Sequence, residues 1–189
     1  IDLRLTLFYL YRENVQLRDS AGSGGLFTFF TDNGEDAEHY GLEGEANWRF
    51  ATNWTLNTSL GLLETEREGF AGLEGDRELP NAPSFSYSAR LAYQPEEALF
   101  GNIEVAGQDS SFESNSHDEK RDGFTTVNAS IGYRFNNWTL TVWGRNIFDE
   151  EYAERVFFFA NEAPSFDQEK RFEALAAPRT FGVTANYRW

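Results

Sequence analysis

Polar and apolar residues alternate along most of this chain. From Pro178 it runs Arg179-Thr180-Phe181-Gly182-Val183-Thr184-Ala185-Asn186-Tyr187-Arg188-Trp189. The odd positions are apolar or aromatic, and the even positions are polar or small. A period of two marks a strand with one oily face and one wet face. The same period recurs over 1–12, 39–50, 54–62, 84–93, 99–107, 126–135 and 138–145. Phe8 and Leu10 break the polar face of the first stretch, and 99–107 alternates weakly, through Ile103 and Val105. Ala51-Thr52-Asn53, Gln94-Pro95-Glu96-Glu97 and Asn136-Asn137 are short turns between neighbours, which predicts hairpins. The other connections are long and rich in Gly, Ser, Asp and Glu. They cover Glu13 to about Ala37 (with a short strand at Leu26–Phe30), 64–82, Gln108–Asp122 and about Asp149–Leu175. The expectation is an all-β chain of about eight antiparallel strands with strictly alternating short and long connections. All five prolines fall in turns, loops or strand starts.

A soluble sandwich and a transmembrane barrel both alternate this way. Three patterns favour lipid against the apolar face. Within the strands, Asp2, Arg4, Glu43, Glu45, Arg49, Arg90, Glu104, Arg134, Arg145 and Arg188 all take polar-face positions. An Arg or Lys on the lipid face at mid-bilayer costs roughly 2–4 kcal/mol. Long and short connections alternate, as in outer-membrane barrels with short periplasmic turns and long external loops. Trp48, Phe50, Trp54, Tyr93, Tyr133, Phe135, Trp138, Tyr187 and Trp189 gather at the short-turn end, as an interfacial aromatic girdle does. Strands of about 9–11 tilted residues are expected to cross the bilayer.

Composition narrows the function. The formal net charge is −15, which argues against a nucleic-acid partner. There is no cysteine, hence no disulfide frame or thiolate metal site. Two histidines, His39 and His117, leave little for a metal or triad enzyme, and no enzyme or cofactor is expected. Mean hydropathy is −0.56, and no apolar run reaches the length of a membrane-spanning helix. Ile1-Asp2-Leu3-Arg4-Leu5 already alternates, with no signal peptide ahead of it. A mature or truncated product lacking its first portion is expected.

Residues 144–152 read Gly-Arg-Asn-Ile-Phe-Asp-Glu-Glu-Tyr, and 177–183 read Ala-Pro-Arg-Thr-Phe-Gly-Val before an aromatic terminus. Together they resemble the C-terminal end of TonB-dependent outer-membrane receptors. In that family an Asn-Leu-Phe-Asp-x-x-Tyr-like segment closes the penultimate strand, and a Pro-Arg-x-Phe-like segment opens the last. Asn146, Phe148, Asp149, Tyr152, Pro178, Arg179, Phe181 and Trp189 carry the match. Ile147 replaces the commoner Leu, and Trp189 the commoner Phe. Glu38-His39-Tyr40-Gly41-Leu42-Glu43-Gly44-Glu45 and Pro80-Asn81-Ala82-Pro83 also resemble strand segments of these barrels.

Such receptors have 22 strands around a plugged lumen. The resemblance therefore implies that residues 1–189 are the C-terminal portion of the barrel, with the plug and earlier strands absent. It implies energised uptake of a scarce nutrient, such as a ferric siderophore, across a Gram-negative outer membrane. The partners implied are outer-membrane lipid and, through the missing plug, the TonB complex. The alternative is a stand-alone eight-stranded barrel with an adhesin or structural role.

Candidate ligand residues are Phe157, Phe158 and Phe159, a run in the last long loop whose competing role is packing that loop onto its neighbours. Trp143 and Arg145 take polar-face positions, to line the lumen or hold the plug. His117 beside Asp118 reads as a solvated loop rather than a hydrolase pair, and His39 as structural. Asp32, Glu35, Asp36 and Glu38, and Glu64, Glu66 and Glu68, read as solvated acidic loops rather than cation sites.

Overall fold

The computed structural model describes residues 1–21, 28–34, 36–67, 78–115, 117–159 and 169–189. Every regular element among them is a strand. Eight strands build one antiparallel sheet: β1 (Asp2–Arg12), β4 (Ala37–Ala51), β5 (Trp54–Arg67), β6 (Phe85–Tyr93), β7 (Ala98–Gln108), β10 (Phe124–Phe135), β11 (Trp138–Arg145) and β14 (Thr180–Tyr187). They lie in the order β1-β4-β5-β6-β7-β10-β11-β14, a meander in which each strand neighbours the one before it. These are the eight strands that the alternation predicts.

The long connections hold more structure than the sequence suggests. Gln16–Ala21 (β2) pairs with Thr28–Asn33 (β3), so the first is a hairpin rather than a loop with one short strand. Leu26 and Glu35 lie outside the described residues, as do Glu68 and Pro164. Ser111–Phe112 (β8) pairs with Lys120–Arg121 (β9), and Ala153–Phe159 (β12) with Lys170–Leu175 (β13). β4 has 15 residues and β5 has 14, beyond the 9–11 expected for a crossing. Charge hides the extension of β5. Thr65 and Arg67 continue its polar-face parity and are buried, while the intervening Glu64 and Glu66 are exposed.

Among the described residues nothing forms a second layer against the apolar face of the sheet. Leu3, Leu5, Leu7, Ile103, Ile131, Val142 and Val183 all stand exposed on it. In water this face would forgo about 25 cal/mol for each Å² left uncovered. On β4 the uncharged apolar-face run spans Tyr40 to Phe50. Ten steps at 3.4 Å, tilted by about 40°, give a height of about 26 Å, matching the apolar band of outer-membrane barrels. On this face Glu64 stands at the long-loop edge of that band, opposite Tyr40, and Glu38 and Glu66 stand beyond it, opposite each other. At the other edge Trp48, Phe50, Trp54 and Tyr93 form a row with successive ring centroids 5.4, 6.1 and 4.9 Å apart. Trp138 and Tyr187 continue the belt at 5.0 Å.

The polar face is bonded across strands. Ser59 and Ser88 hydroxyls meet at 2.8 Å, and Asn102 Nδ2 donates to Ser130 Oγ at 2.7 Å. Three aromatics on this face pack against a glycine directly opposite: Phe8 against Gly41, Phe100 against Gly132, and Trp143 against Gly182. A Cβ at Gly132 or Gly182 would run into the ring it faces. Phe8, which breaks the alternation in sequence, thus has a prepared place. Arg134 caps Phe100, its guanidinium 3.9 Å from the ring centroid, and donates to the Pro95 carbonyl at 2.9 Å.

Candidate functional site

The antiparallel meander puts all long connections at one end of the sheet, and most of the candidate chemistry lies there. The two motif segments meet at the base of the last connection. Asn146 follows β11 with φ 47°, in the left-handed region that Asn tolerates. Its buried side chain donates to the Glu150 carbonyl (2.8 Å) and the Ala177 carbonyl (3.4 Å), and accepts from the Glu150 amide (2.9 Å). Its own amide donates to Asn128 Oδ1 at 3.0 Å. Asp149, also left-handed at φ 61°, accepts from the Arg179 amide at 2.8 Å and faces its guanidinium at 3.7 Å. Tyr152 stacks on Phe124 at 3.8 Å, and its carbonyl accepts from the Ala176 amide.

These groups form a clasp that closes a connection of some thirty residues. Pro178 lies within its return arm, and Phe181 covers Gly144, whose Cβ would sit 2.8 Å from the ring. Phe148 is 76% exposed. Trp189 is fully exposed beyond β14.

Phe157 and Phe158 do not share a surface, because neighbouring residues of a strand point to opposite faces. Phe157 pairs with Phe172 across the β12–β13 hairpin and carries Arg155 over its ring at 4.7 Å. Phe158 stacks on His117, centroids 3.8 Å apart and planes 6° apart. The Phe159 side chain lies outside the described residues, as does that of Asp32. Trp143 and Arg145 stand on the polar face as their parity predicts. Trp143 Nε1 donates to Thr184 Oγ1 at 3.2 Å, and Arg145 lies 5.3 Å from the indole.

His117 is not a bare solvated loop residue. Its ring hydrogen-bonds Ser114 Oγ at 2.7 Å through Nδ1 and Glu169 at 3.0 Å through Nε2. It joins the 109–123 connection to the β12–β13 hairpin. His39 stands on the polar face at the long-loop end of β4, half-buried. Asp36 is held by the Tyr11 hydroxyl and the Asn14 amide, which keep its carboxyl below the usual carboxylate range. No group of three or more His, Asp or Glu converges to hold a metal ion among the described residues.

Sequence reasoning missed a polar bracing layer under the long connections. Arg67, 3% exposed, donates to the Asn115 carbonyl at 2.7 Å. Thr65 accepts from the Leu79 amide at 3.0 Å, and the Asn81 amide donates to the Phe112 carbonyl. Arg121 pairs with Glu113 at 2.8 Å, both side chains mostly buried, and donates to the Glu154 carbonyl. Lys120 reaches Glu78 at 2.7 Å. Three long connections are thereby fastened together. The one available signal was the continued parity of Thr65 and Arg67. Toward the short-turn end, the polar wall includes an open concavity of about 890 Å³ beside Asp2, Arg4, Glu45, Asn57, Arg90 and Glu104.

The fold has solved counterparts. The ferric yersiniabactin uptake receptor FyuA from Yersinia pestis superimposes with a TM-score of 0.76 at 19% identity, over 98% of this chain and 27% of that one. The copper transporter OprC gives 0.75 at 18%, over 98% and 29%. The siderophore receptor PiuA from Acinetobacter baumannii gives 0.70 at 17%, over 98% and 26%. The chain thus spans just over a quarter of the length of each. Likeness at these identities establishes the fold alone. The family description "TonB dependent receptor-like, beta-barrel" matches residues 1–147. With eight antiparallel strands, one apolar face and one bonded polar face, the chain belongs to the TonB-dependent receptor β-barrel family.

Proposed function

We propose that residues 1–189 are the C-terminal part of the barrel of an outer-membrane receptor that takes up a scarce nutrient as a metal chelate, a ferric siderophore being the leading case. The observation that carries this reading is the uncovered apolar face, uncharged over about 26 Å along β4, backed by a bonded polar wall. Family membership adds to it, and siderophore and copper proteins stand among the structural relatives. On this reading the short turns face the periplasm and the long connections face outward to capture ligand. The polar wall surrounds a plug supplied by the rest of the polypeptide, and the TonB complex drives release through that plug. Phe157, Phe158, Phe159, Trp143 and Arg145 are the residues of this segment assigned to ligand or plug contact.

The test is accumulation of radioactive iron or copper chelates in cells carrying the full-length receptor, with and without a working TonB system. Uptake that needs both supports the proposal. Equal uptake without the receptor, or without TonB, overturns it.

A further inference from the structure

The charge of this chain is sorted along its strands. The segments 13–36, 64–84, 108–123 and 146–179 together carry the whole formal net charge of −15, and the charges of the remaining strands and turns cancel. The meander gathers those four segments at one end of the sheet. The described residues of those segments carry a net charge of −10, so that end is strongly acidic above a wall that is neutral overall.

Among the described residues most cations of that end are already engaged, and the exposed Arg155 lies over the Phe157 ring. Lys120 is paired with Glu78 and Arg121 with Glu113. Arg171 is shared by Glu119 at 3.4 Å and Glu173 at 2.5 Å, and Arg179 faces Asp149. Arg67 is buried, and Lys170 is engaged as well. Against these, Glu150, Glu151 and Glu154 are exposed on one short stretch. The contacts of Arg67, Arg121 and His117 fasten three of the acidic connections to one another, which holds the described charges beside those contacts in place. This is a field rather than a coordination site, since no metal-holding group converges among the described residues. A surface of one sign raises the local concentration of counter-ions and repels co-ions.

We propose that this end acts as a charge filter, admitting neutral or cationic chelates and turning back compact polyanionic ones. The inference rests on the uptake reading above and narrows its substrate class.

The experiment uses purified full-length receptor in a neutral detergent and two compact probes of opposite charge, hexaamminecobalt(III) and hexacyanocobaltate(III). Equilibrium dialysis measures retention of each at about 20 mM and about 500 mM salt. The cation is expected to be retained at least about ten-fold more than the anion at low salt, with the ratio falling toward one at high salt. The combined variant E150Q/E151Q/E154Q is expected to lower the low-salt ratio at least about two-fold while the protein keeps its heat-resistant mobility in gels. Equal or greater retention of the anion at low salt overturns the filter. So does an unchanged ratio in the folded variant, which would place the field outside this segment. Dialysis needs neither energy nor the natural ligand. A failed filter therefore leaves the uptake proposal intact, and failed TonB-dependent uptake leaves the filter intact.

Discussion

Arginine scanning along β7 separates lipid from protein as the cover of the apolar face. Leu99 and Ile103 stand on that face of one strand, 48% and 50% exposed in the sheet. Leu99 is paired with Tyr133 of the aromatic belt, whereas Ile103 lies between Leu91 and Ala129. Four residues at 3.4 Å and a tilt of about 40° place them about 10 Å apart in depth. In a bilayer, Ile103→Arg near mid-depth costs about 2–4 kcal/mol, and Leu99→Arg at the interface about 0–1 kcal/mol. The gap of about 2–3 kcal/mol corresponds to roughly a 30- to 160-fold difference in the folding equilibrium. The assay is denaturant unfolding of the full-length receptor in lipid vesicles, followed by tryptophan fluorescence, comparing the two variants with the parent. If a second protein layer covers the face, two positions of equal exposure lose comparable stability. Equal losses would refute lipid contact.

Three further outcomes follow from contacts in the fold. Gly182→Ala drives a Cβ into the Trp143 ring and is expected to cost about 1–3 kcal/mol as overpacking; Trp143→Leu in the same chain should recover part of it, read by the same unfolding assay. Asn146→Ala removes the buried amide that spans Glu150 and Ala177, and the Glu150 amide loses its acceptor. A loss of about 1–3 kcal/mol is expected, seen as faster protease cleavage within 147–178 while the strands stay protected. Asp109 accepts from the Ser84 hydroxyl and the Ser110 amide, in that order of weight, and its carboxyl is held below the usual range. A lowered pKa means the contact contributes fully above the ordinary carboxylate value of about 4 and fades as pH falls through the lowered one. The protection of the Ser110 amide relative to its intrinsic exchange rate should therefore fall in acid, and Ser84→Ala should weaken that dependence.

The strands were legible because a strand exposed differently on its two sides writes a period of two, and eight stretches carried it, with breaks at Phe8 and Leu10 and a weak run over 99–107. The last two motifs were legible as a resemblance, but not as the clasp they form. Asp149 and Arg179 are thirty positions apart, and only the pairing of β11 with β14 brings them together. Glu64-Thr65-Glu66-Arg67 looked like loop because it is charged, yet outside the bilayer a strand carries charge freely on both faces. Phe157, Phe158 and Phe159 looked like one aromatic patch, yet the β12–β13 hairpin sends Phe157 to Phe172 and Phe158 to His117.

Alternation, the one-sided aromatics and the rhythm of short and long connections therefore settled the sheet and its two faces from the sequence alone, since each is a local property of consecutive residues. What the long connections touch was decided only in three dimensions. Arg67 with Asn115, Arg121 with Glu154 and His117 with Glu169 join segments far apart in the chain, through single polar contacts that leave no periodic trace.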